Sequence, residues 1–144
     1  MGSPALYGVE RTHLLQLLIW GAASFAMGAV LLAVLRIRKE RAPLAVSFAI
    51  AMAACGAAES CFALLRWRGL TERDYAGVLR LTTNLRLTMI AELWCIAGAT
   101  VVLWAGITFL KRLDLLGIAT ALAAHGGVLF VLDRLFLARL TSGA

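Results

Sequence analysis

Residues 14–43 read LLQLLIWGAASFAMGAVLLAVLRIRKERAP. From Leu14 to Leu35 there is no charged side chain, and the run then ends abruptly in Arg36, Arg38, Lys39, Glu40 and Arg41. A helix rises about 1.5 Å per residue, so such a run reaches across a hydrocarbon core about 30 Å thick. Basic residues follow it where a secretory leader would carry a small-residue cleavage site, so the run is expected to stay as a membrane span.

Three more apolar runs follow, Pro43–Leu65, Leu87–Leu110 and Leu115–Leu132. The last is shorter before Asp133, but Arg134 can snorkel and Leu135–Leu140 extends the apolar stretch. Within lipid, backbone groups must be satisfied inside each segment, which makes these runs helices. Over 144 residues the hydrophobic content is 62% and the charged content 15%, with mean hydropathy +0.88. A soluble domain of this size buries only about two-thirds of its unfolded surface and cannot hide so much apolar area. The expected fold is all-α: one integral membrane domain of four helices at about 12–36, 43–66, 72–110 and 114–138, the third extended beyond the bilayer.

The connections differ in kind. Arg36–Ala42 is short and basic, with Pro43 suited to the first turn of the next helix. Lys111–Asp114 is tight, so helices three and four must be antiparallel neighbours. Between Arg66 and Arg86, Gly69 breaks helix two, Thr71 offers an N-cap, and Glu72 and Asp74 suit a first turn. Tyr75, Val78, Leu79, Leu81 and Leu85 then fall near one face, which predicts an amphipathic helix running into helix three. Four crossings put both termini on one side. That side carries Arg11, Arg66, Arg68, Arg73, Arg80, Arg86, Arg134 and Arg139; the other carries Arg36, Arg38, Lys39, Arg41, Lys111 and Arg112. The dense turn after helix one weighs most, so it is placed in the cytoplasm of a bacterial plasma membrane, with both termini outside.

Net charge is +6. Because the basic residues flank apolar runs, they read as headgroup anchors in a lipid bilayer, and no nucleic-acid partner is expected. Cys55, Cys61 and Cys95 lie in apolar runs without CxxC spacing, so no metal site or cofactor is expected. Neither a Ser/His/Asp arrangement, nor HExxH, nor a phosphate loop is present, and non-enzymatic function is favoured. A membrane-embedded redox or ligand-binding enzyme is the weakest alternative.

Ionisable groups inside spans are costly and mark function by default. Glu59 lies seven residues before Arg66 and Glu92 six after Arg86, both at helix ends on the terminal side. Asp133 ends helix four there and His13 begins helix one there, while His125 sits about 12 Å deeper than Asp133. Glu59, Glu92, His125, Asp133 and His13 thus define a one-sided polar vestibule, the candidate ligand or ion pathway. The plainer alternatives pair Glu59 and Glu92 with Arg66, Arg68, Arg86 or Arg134, leave His13 interfacial, and let His125 hydrogen-bond within a tight helix contact.

Small residues recur as Gly21, Ala22, Ser24, Ala26 and Gly28; as Ala53, Ala54, Gly56, Ala57 and Ser60; and as Gly117, Ala121, Ala124 and Gly127. They suit close helix packing and, beyond that, self-association. Trp20, Trp67, Trp94 and Trp104 read as interfacial belt residues. The stretch LWCIAGATVVLWAGITFLKRLDLLGIATALAAHGGVLFVL from Leu93 to Leu132 resembles the last two helices of small multidrug resistance transporters. That family carries its essential carboxylate in helix one, where this chain has no acid between Leu14 and Leu35, so no role is carried over. Two functions remain in view: a self-assembling channel or transporter for an ion or small solute, or a non-catalytic subunit packed against partner membrane subunits.

Overall fold

The computed structural model describes residues 4–71 and 75–142. They form α1 (Pro4–Ile37), α2 (Pro43–Arg68), α3 (Tyr75–Ala105) and α4 (Leu113–Ser142), with one π-helical turn, Gly106–Leu110, closing α3. Each of the four is long and apolar enough to cross a membrane. The chain is an all-α membrane four-helix bundle.

Local chemistry sets the ends. Ala42 is extended (φ −103°, ψ 92°) ahead of Pro43, the conformation a following proline imposes, and Pro43 opens α2. Gly69 stops α2, its N–H donating to the Arg66 carbonyl at 3.1 Å. At the end of α1, the Glu40 N–H donates to the Leu35 carbonyl (3.1 Å) and the Lys39 N–H to the Arg36 carbonyl (3.2 Å). This is a Schellman closure with Lys39, at φ 54°, in the left-handed position usually given to glycine. Lys111 (φ 48°) takes the same conformation after the π turn. The expected cap at Thr71 rests on 72–74, outside the described residues.

α1 packs along α2, α2 packs on α4, and α3 packs on α4; α1 also touches α4. Among the described residues α3 packs on no other long helix, and α2 and α3 do not pack against each other. α4 is therefore the shared wall. Small residues make the α1–α2 approach: a Cβ built on Gly21 would fall 2.6 Å from Ser60 Oγ, and one on Gly28 would fall 2.9 Å from Ala53 Cβ. One on Gly117 would meet the Leu44 carbonyl and Ser47, which seats α4 on the start of α2. Ala22, Ala26, Ala54 and Ala124, expected in the same contacts, are exposed.

Two apolar layers close the terminal end. Leu14, Leu17 and Ala63 pack with Trp67, Leu129 and Leu132. Leu81, Leu85 and Met89 of α3 pack with Phe136, Leu137 and Leu140 of α4. The helix expected ahead of Arg86 is thus present and docked along α4. Leu79, assigned to its buried face, is 60% exposed; the face that meets α4 runs Leu81, Leu85, Met89, at the spacing of a helix, and Leu79 lies off it.

Candidate functional site

α1 turns a stripe of polar groups inward at helical spacing: Glu10, His13, Trp20 and Ser24. His13 is buried, 3% exposed, which corrects its reading as an interfacial residue. Its Nε2 lies 3.1 Å from Asp133 Oδ1 on α4, and both side chains are buried. The imidazole stacks on Phe136, centroids 4.1 Å apart and rings 3° from parallel. Leu17 and Leu137 close the surroundings as buried apolar residues. A buried carboxylate needs such a partner to be tolerated, and the His13–Asp133 contact ties the start of α1 to the end of α4.

Glu59 on α2 and Glu92 on α3 face the same region. Asp133 lies within electrostatic reach of Glu59, and both Asp133 and Glu59 lie within reach of Glu92. Among the described residues α2 and α3 both pack on α4 and not on each other, so the two glutamates stand on helices that flank α4. The Oε2 of Glu92 is buried with no hydrogen-bond partner. Among the described residues no arginine lies within salt-bridge distance of Glu59 or Glu92. Arg66, the basic residue within electrostatic reach of Glu59, instead sets its guanidinium over Phe62, 5.6 Å from the ring centroid.

His125 lies about two turns deeper on α4 than Asp133. It is 6% exposed, and its ring is 5.8 Å from Trp20, inclined 33°. Trp20 is accordingly an inward residue and not a belt residue, unlike Trp94 and Trp104, which are 75% and 61% exposed. Neither Trp20 Nε1 nor His125 Nδ1 has a hydrogen-bond partner, and the same holds for Ser24 Oγ. A Cβ on Gly126 would fall 3.2 Å from Ile96 and 4.0 Å from the Glu92 carbonyl oxygen. The α3 backbone at Glu92 therefore passes directly beside the residue that follows His125. Cys55 lies within electrostatic reach of both Cys95 and Glu59.

Of the five side chains singled out in the sequence, Glu59, Glu92, Asp133 and His13 are drawn into one neighbourhood, and His125 is held below it against Trp20. Glu10, Trp20 and Ser24 were missed. Their signal is the series 10, 13, 20, 24, in steps of three, seven and four residues, which places them on one side of α1. Among the described residues no three His, Cys, Asp or Glu side chains gather as a metal site. The opposite end of the bundle differs: there Arg112 donates to both carboxylate oxygens of Asp114, at 3.2 and 2.6 Å. No family model, curated protein or solved structure matches the chain.

Proposed function

We propose that the protein is a small self-assembling membrane channel or transporter that passes a cation or a protonated small solute through the carboxyl-lined cleft between α2, α3 and α4. One observation carries this reading: the buried, unpartnered Oε2 of Glu92, with Glu59 and Asp133 within electrostatic reach and no arginine bound to it. Three carboxyl groups near one another in a low-dielectric region repel when ionised, and uptake of a proton or a cation relieves that repulsion. His13 offsets one of them, Asp133, at 3.1 Å. The cleft opens toward the side that carries both termini, which the dense basic turn after α1 assigns to the exterior of a plasma membrane.

The test is flux in proteoliposomes that report proton and potassium entry. Wild type is expected to pass at least one of them, and Glu92→Gln to lose the activity at least tenfold while eluting as the same oligomer. An active Glu92→Gln protein would remove the reading. A second reading, a subunit of a larger membrane complex, is favoured by α3, which packs on α4 alone and turns Leu87, Leu93, Trp94 and Trp104 outward. Purified by itself, such a subunit gives no discrete homo-oligomer, whereas a carrier that assembles with itself does.

A further inference from the structure

At the end of the bundle away from the carboxyl groups, a pocket of about 560 Å³ lies in the groove between α1 and α2. Leu32, Leu35 and Val46 form its apolar floor, and Arg36, Lys39 and Arg41 its rim, with Glu40 beside them. We infer that this pocket binds the headgroup of an anionic phospholipid, with Arg36, Lys39 and Arg41 around the phosphate and the acyl chains over Leu32 and Val46.

Charge supports the assignment. Glu40 sits 3.9 Å from Arg38, which points to a different partner from the three rim cations. Among the described residues none of Arg36, Lys39 and Arg41 has a carboxylate within salt-bridge distance. At the neighbouring turn the equivalent charge is already answered, since Arg112 is bound by Asp114 at 2.6 Å. A basic pocket between transmembrane helices at the headgroup level is the arrangement that holds anionic lipid.

The backbone supplies an independent argument. Lys39 occupies the left-handed position of the Schellman closure, φ 54°. Glycine takes that conformation freely, and any L side chain there is strained. A lysine at this position places a cation over the end of α1, where the helix dipole is negative, and over the pocket rim. The same conformation occurs at Lys111, which does not line this pocket. The two lysines therefore share charge, conformation and membrane face but differ in having the pocket.

That difference defines the experiment. Wild type, Lys39→Gly and Lys111→Gly are purified in neutral detergent and titrated with mixed vesicles or micelles of phosphatidylglycerol in phosphatidylcholine, and bound lipid is counted by native mass spectrometry. Glycine relieves the strained backbone at either position, so neither variant is expected to fold less well. Lys39→Gly should retain phosphatidylglycerol about fivefold less well, the effect of roughly 1 kcal/mol per basic residue at an anionic surface, and Lys111→Gly should match wild type. Equal losses at Lys39 and Lys111 would mean diffuse surface attraction and overturn the site. Displacement of the lipid by millimolar inorganic phosphate would also overturn it, because a soluble anion would then satisfy the rim without the apolar floor.

Discussion

Replacing Asp133 with leucine tests whether the polar contact between α1 and α4 holds the bundle together. His13 Nε2 lies 3.1 Å from Asp133 Oδ1, with both side chains almost wholly out of solvent. Leucine fills a similar volume but leaves the imidazole without its acceptor. A buried donor stranded in this way costs about 1–3 kcal/mol. Within a membrane protein the unfolded reference also finds partners, and measured interhelical bonds average about 0.6 kcal/mol, up to about 1.7. The stacking of His13 on Phe136, at 4.1 Å, survives the change and keeps the ring in place, so the loss reports the hydrogen bond and not a rearranged ring. Asp133→Leu is therefore expected to lose about 1–2 kcal/mol, and Asp133→Asn, which still offers an oxygen, less than half of that. The assay is unfolding in mixed micelles of a neutral detergent and dodecyl sulfate, followed by tryptophan fluorescence. A double-mutant cycle with His13→Phe isolates the pair and should give coupling above about 0.5 kcal/mol. Asp133→Leu as stable as wild type, or two additive single changes, would show that the contact does not hold α1 to α4.

Gly56→Ala should destabilise the bundle although alanine is the better helix former by about 1 kcal/mol, because its Cβ would press on Phe25 N and the Gly21 carbonyl and lie 2.9 Å from Ser24 Cβ. Gly127→Ala, whose Cβ meets nothing within 4 Å, should be neutral or stabilising in the same unfolding assay. Single cysteines at Gly69 and Lys39, at opposite ends of α2, should be labelled by an impermeant maleimide from opposite sides of the membrane; labelling from one side would remove the four-crossing arrangement.

The spans were legible because apolar length alone decides them: Leu14–Leu35 has no other stable placement than a bilayer. The direction in which each side chain points was much harder to read. A helix bounded by lipid is apolar on its outer face as well as its inner one, so the hydrophobic stripe that orients a helix in a soluble protein is faint here. Leu79 illustrates this: it shares the residue type of Leu81 and Leu85, yet it faces outward while they pack against Phe136 and Leu137. Nor does any local pattern record that, among the described residues, α2 and α3 both pack on α4 and not on each other. Polarity is the better guide inside a membrane, because lipid offers nothing to a hydrogen-bonding group. On α1 the inward direction is marked by Glu10, His13, Trp20 and Ser24, each three, four or seven residues from the next, and Gly21 and Gly28 fall beside it where α2 approaches closely. Followed from His13, that polar spacing leads to Trp20 and so to His125, the contact that a search for ionisable residues alone leaves out.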